Sequence, residues 1–332
     1  MSGAVRVAGA RRGPRRSRRE AIDRLGDGVL RGLCILAALL AVVAIGAIVY
    51  QVIHRASPAI SRFGLGFLTS STWQPNFGLG GEGTFGAAAF LYGTAVTSFM
   101  ALLLAVPIGV SIGLYLSMLA PRRVRGVIGP LVEMLAAIPS VILGFWGILV
   151  FGPYLQRHIE PFLHRVFGFL PIFGATPTTG SGLFNAGLIL TIMVVPIIAS
   201  LSRDLFSTVP QELKDGATAL GATHWEVVRG VVIPSAASGV VAAAFLGLGR
   251  ALGEAIAVTQ VIGAGSLIHS SLFQPGDTLA SRIADQYAGA TTKLHVASLF
   301  YLAVVLLVIE LVVNVAAQVI ARRFDVRIAL AR

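Results

Sequence analysis

Residues 210–234 read PQELKDGATALGATHWEVVRGVVIP, a polar stretch held between two long apolar blocks. Leu213, Ala217 and Leu220 recur at i, i+4 and i+7, which predicts an amphipathic helix that starts near Ser207 or Thr208 with Pro210 in its first turn. Gly221 breaks it. A second short amphipathic stretch, with Trp225, Val228 and Val232 on one side, leads through Pro234 into the next apolar block. Two short helices joined by a glycine turn at a membrane surface make a docking element for a soluble partner, or else an interfacial element that rests on lipid.

Outward from this loop, the chain is a series of apolar blocks bounded by charge. A membrane-spanning helix needs about 20 apolar residues, and six places offer them: roughly 30 to 53, 88 to 117, 128 to 151, 184 to 201, 236 to 262 and 296 to 320. Of 332 residues, 55% are hydrophobic and 12% charged, against about 25% charged in a soluble domain; the mean hydropathy is +0.82. Such a chain is solvated by lipid, and the expected fold is an all-α membrane protein with six transmembrane helices. Pro107, Pro139 and Pro196 lie inside apolar blocks. The backbone bonds they remove must be re-satisfied by neighbours, so the helices are expected to bundle.

The net charge of +11 does not point to nucleic acid, because the arginines sit at the ends of the apolar blocks and not in a patch interleaved with aromatics. Residues 1–28, with Arg6, Arg11, Arg12, Arg15, Arg16, Arg18, Arg19 and Arg24, read as a disordered basic tail at an anionic cytoplasmic leaflet. Gly32 to Ile53 runs 22 residues without charge, longer than the ~7 to 15 of a signal-peptide core, and is expected to remain as an anchor. The single cysteine, Cys34, allows neither an intrachain disulfide nor a cysteine-based metal site.

Lysine and arginine mark the cytoplasmic side. With the N-terminus inside, Arg122, Arg123, Arg125, Arg203, Lys214, Arg229 and the basic tail at 322–332 fall on that side, so both termini are expected to be cytoplasmic. Residues 54–86, 152–183 and 263–295 are then external loops. Their histidines, His158 and His164 among them, lack the helical spacing and carboxylate of a metal site.

Charge inside an apolar block is the sharpest functional signal. Arg250 and Glu254 interrupt the fifth block, and at i and i+4 they share a helix face and can pair. A charge at mid-membrane costs about 2.5 to 3.5 kcal/mol even on a lenient insertion scale, and so faces the bundle interior. Arginine suits a tetrahedral oxyanion because its planar fork donates two parallel hydrogen bonds; the other reading is a buried pair that fixes helix packing. Glu133 and Glu310 are weaker candidates for the same path.

The loop resembles the "EAA" loop of bacterial ABC importer permeases: Asp215-Gly216-Ala217, three residues, Gly221, nine residues, then Val231-Val232-Ile233-Pro234. Asp and Gly replace the usual Glu and Ala, and Gly216 costs about 1 kcal/mol of helix propensity. Gly249-Arg250-Ala251-Leu252-Gly253-Glu254, with Ala257-Val258, is similar to the matching span of PstC-type phosphate permeases; so are Phe67-Leu68-Thr69-Ser70, Tyr92-Gly93-Thr94, Ala137-Ile138-Pro139-Ser140 and Met193-Val194-Val195-Pro196.

The resemblance implies a type I ABC importer permease (MetI-like) architecture: residues 29–86 as first helix and external loop, 87–321 as permease domain, and 207–234 as coupling loop. It implies ATPase coupling through Asp215, Gly216, Ala217 and Gly221, and a substrate path at Arg250 and Glu254. The implied partners are a homologous PstA-type permease, a PstB-type ATPase dimer that binds the ATP and magnesium, and an external PstS-type phosphate-binding protein. No cofactor is expected on this chain. It has only two lysines, Lys214 and Lys293, and neither follows a glycine as a phosphate-cradling Walker loop requires. A permease for sulfate or molybdate, or a subunit that signals phosphate status, remains open on chemistry alone.

Overall fold

The computed structural model describes residues 14–75, 83–174 and 179–330, and the side chains of 26–75, 83–174 and 179–322. Arg6, Arg11, Arg12 and Arg332 lie outside the described residues. Ten helices organise it: α1 Pro14–Phe63, α2 Ala88–Leu119, α3 Arg122–Ala136, α4 Ser140–Phe167, α5 Leu183–Ser207, α6 Gln211–Ala219, α7 His224–Gly253, α8 Ile256–Val261, α9 Leu279–Gln286 and α10 Lys293–Leu330. Among the described residues, the one β pairing is an isolated bridge between Gln74 and Thr84.

Five of these helices are long and apolar enough to cross a membrane, and a sixth span exists if α3 and α4 are taken as one broken span. That pair corrects the expected straight span at 128–151, since it bends by 89°. Pro139 causes the break: its ring disfavours the helical region for Ile138, and Pro139 itself is extended at ψ 134°. The structure also extends α1 back to Pro14, where a disordered tail was expected through residue 28. Once a helix is nucleated by an apolar segment, adding arginine, a good helix former, costs little.

The chain forms two compact units, residues 1–54 and 55–332. In the first, most of the described apolar side chains, Leu33, Leu36, Leu40 and Val43 among them, are exposed, and Val49 and Val52 are half-buried. In the second, α5 is the central helix, with Ala186, Ile189, Val194 and Ile198 fully enclosed. It packs along α2 through a ladder of small buried residues at every fourth position: Gly93, Thr97, Ala101, Ala105, Gly109 and Gly113. Lipid gives helices no hydrophobic reason to associate, so close backbone approach through small residues supplies the attraction. Contacts run in step, Gly109 against Ile198 and Gly113 against Arg203, so α2 and α5 are parallel. Against α7 the order reverses, Gly239 meeting Leu205 and Gly247 meeting Val194.

These directions give the bundle two ends. At one, Arg203 holds Glu133 at 2.9 Å, joining the end of α5 to α3. Arg125 donates to the Ser117 carbonyl at 2.6 Å, and the loop at 208–223 leaves from the same end. At the other lie the starts of α2, α5 and α10, with the segment 263–292 among them.

Candidate functional site

The apolar run of α7 ends in Arg250-Ala251-Leu252-Gly253-Glu254. Glu254 leaves the helix, extended at ψ 115°. A new short helix, α8, then starts after Ala255. The expected continuous span over 236–262 is therefore broken. The pairing survives the break, with Arg250 Nη2 3.3 Å from Glu254 Oε2. Its other oxygen accepts the Ala257 N–H at 3.2 Å. A broken helix strands backbone N–H groups, and the carboxylate satisfies that of the enclosed Ala257. Glu254 is thus both counter-charge to Arg250 and cap of α8.

Burial separates the two partners. Glu254 is 5% exposed and Arg250 is 48% exposed. An arginine held by a carboxylate and still half exposed keeps N–H donors that can bind an oxyanion. Glu310 of α10 approaches the same break, its Oε1 3.2 Å from where a Cβ on Gly253 would stand. Glu133 is paired with Arg203 at 2.9 Å, at the end of the bundle where α5 meets α3.

At the loop, α6 starts at Gln211 and not at Ser207 or Thr208. Pro210 precedes it with an extended ψ of 134°. Its end is a Schellman motif: Ala222 N–H bonds the Ala217 carbonyl at 3.1 Å and Gly221 N–H the Thr218 carbonyl at 2.9 Å. Gly221 stands at φ +88°, a left-handed conformation that only glycine adopts readily. Thr223 and Glu226 then form a capping box that starts α7. The second amphipathic stretch is accordingly the first turns of the fifth span and no separate surface helix.

Ala217 packs under the loop against a cluster of Phe206, Val209, Val227 and Val232. Asp215, Gly216 and Gly221 face out. Trp225, expected beside Val228 and Val232, instead points away at 63% exposure, and Leu220 at 91%. The capping box sets the helix phase so that Val227 and Val228 turn inward. Two large apolar side chains thereby flank the exposed acidic turn.

Charge counting passed over one further site. Residues 263–295, expected as an external loop, fold back among the helix ends and bury Asp277, Thr278, Ser281 and Arg282. Arg282 Nε lies 2.9 Å from Asp277 Oδ2. The approach is charge against charge, since neither atom completes a hydrogen bond. Asp277 Oδ1 accepts from the Ser281 hydroxyl and from Thr278 N–H. Burial pushes the Asp277 carboxyl up to about 6 against the opposing pull of the Arg282 guanidinium. The Thr278-x-x-Ser281 spacing is the sequence signal for the helix start that positions this group.

A chain with five or six helices apolar enough to cross a membrane, a glycine-turned loop after one of them and a charged break in another has counterparts of known class. The chain belongs to the binding-protein-dependent transport system inner membrane component family, matched over residues 105–327. It is a multi-pass inner-membrane permease of an ABC importer. Among curated relatives, the phosphate transport system permease protein PstC of Mesorhizobium japonicum is 40% identical over 318 residues, covering 94% of this chain and 96% of that protein. PstC of Pasteurella multocida is 41% identical, with 85% of this chain and 87% of that protein covered. PstC of Haemophilus influenzae is 44% identical, with 78% and 82% covered. A solved bacterial alginate ABC transporter, in complex with an alginate-bound periplasmic protein, shares the fold at a TM-score of 0.56 and 16% identity, covering 90% of this chain and 98% of its own.

Proposed function

We propose that this chain is a permease subunit of an ATP-driven importer that moves inorganic phosphate across the cytoplasmic membrane. The observation that carries this reading is Arg250, half exposed at a broken helix and held by the buried Glu254. The shared name of the relatives supports phosphate as the anion. Phosphate would dock on the open edge of the Arg250 fork, while Glu254 keeps α8 capped and competes for the guanidinium, so that the cargo is released. Both termini and the loop at 208–223 would lie in the cytoplasm. A homologous second permease, an ATPase dimer carrying ATP and magnesium, and an external phosphate-binding protein complete the importer.

The ATPase would grip the turn at Asp215, Gly216, Ala217 and Gly221 together with the exposed Leu220 and Trp225. Closure of the ATPase would then shift α7 between outward-open and inward-open arrangements, because α7 begins two residues past Ala222.

Labelled phosphate uptake by the assembled importer tests the path. Arg250→Gln is expected to reduce uptake at least about 100-fold, the ~2.7 kcal/mol of one lost charged contact, with assembly intact. Uptake at the normal rate would remove Arg250 from the path, and competition by excess sulfate in the unmodified protein would remove the selectivity that singles out phosphate. For the loop, Gly221→Leu forces a left-handed conformation that costs about 1 to 2 kcal/mol. The variant is expected to insert normally but to lose co-purification with the ATPase. Unchanged co-purification and uptake would sink the docking assignment.

A further inference from the structure

The segment between α8 and α10 buries an ion pair that the oxyanion path does not use. Taking two charges out of water is rarely repaid in stability by their attraction alone, so such a pair calls for another role. Its connections supply one. Toward α2, Leu279 N–H donates to Thr94 Oγ1 at 2.9 Å, and the Arg282 guanidinium stands 4.7 Å over the Phe90 ring. Gly93 lies so near the Asp277 carbonyl oxygen that a Cβ there would collide with it. Toward α8, Thr259 Oγ1 donates to the Ser281 carbonyl at 3.3 Å and Gly276 N–H to the Ile262 carbonyl at 3.1 Å. The far end of α9 is held by Gln286, which accepts from Trp73 Nε1 at 2.7 Å.

The helix tied in this way is α8, whose opening turn is capped by Glu254. One short helix therefore has the Arg250 partner at its start and the buried pair at its end. We propose that Asp277 and Arg282 are positioning residues: together they lock α9 between α2 and α8 and so set where the helix break holds Glu254 against Arg250. They touch no substrate. The proposal rests on reading Arg250 as part of the phosphate path.

The test uses the complete importer in proteoliposomes with its external binding protein, carrying Asp277→Asn/Arg282→Gln, Gly93→Ala or Arg250→Gln. The double variant removes both charges and strands neither; Gly93→Ala keeps both and displaces the Asp277 carbonyl. Both are expected to assemble, with the maximal uptake rate down at least about tenfold (~1.4 kcal/mol) and an unchanged half-saturating phosphate concentration. If either assembled variant transports at the normal rate, the proposal is overturned. Failure of both to assemble also overturns it, since the pair would then serve the fold alone. Should the double variant alone fail to assemble, Gly93→Ala decides. Normal uptake in Arg250→Gln overturns the path reading and this proposal with it; loss there beside normal uptake in the double variant overturns only the positioning role.

Discussion

Two arginine–carboxylate pairs sit at the two ends of one short helix, and they differ in almost every physical respect. Arg250 and Glu254 are 3.3 Å apart with the arginine half exposed, whereas Arg282 and Asp277 are 2.9 Å apart with both side chains within 5% of full burial. The first pair leaves donors facing accessible space, and its carboxylate is anchored independently by a backbone N–H. The second closes on itself and spends its remaining contacts on neighbouring helices. On the proposed reading, an arginine–carboxylate pair would serve as an opening for an anion in one place and as a fastening in the other. What separates the two geometrically is the exposure of the guanidinium.

The comparison breaks most sharply at the buried pair. Asp277→Asn alone leaves Arg282 as an unpaired charge among the helices, which is expected to destabilise by about 3 to 5 kcal/mol. Its measurable consequence is loss of folded protein in detergent, recovered when Arg282→Gln is added. Equal yields of single and double variants would show that the pair is not sealed from water.

Which features were legible in the sequence follows from the same contrast. Arg250 and Glu254 stand out because they interrupt an apolar block at helical spacing, and the loop because its glycine and its spacing are local. The helix break between them was not legible: Gly253 is compatible with a continuous span, and only the acceptor role of Glu254 toward Ala257 shows why the break is stable. Asp277 and Arg282 sit five positions apart in a stretch that hydropathy assigns to water, and their burial depends on α2, 185 positions away in the case of Leu279 and Thr94. Pro139 was legible as a lost backbone donor inside an apolar block, but the 89° bend that follows from its extended backbone was not. The outward direction of Trp225 depends on the phase fixed by the Thr223 capping box, which a stripe of apolar letters does not encode.

The path role of Arg250 is tested most directly by labelled phosphate uptake in the assembled importer carrying Arg250→Gln together with Glu254→Gln. Glutamine keeps a carbonyl oxygen for the Ala257 N–H, so α8 stays capped while both charges disappear. The expected result is normal assembly with uptake reduced at least about 100-fold, as for Arg250→Gln alone, because no anion-binding fork remains. Uptake restored to the normal rate by the second substitution would contradict it, and would make Arg250 and Glu254 a packing pair.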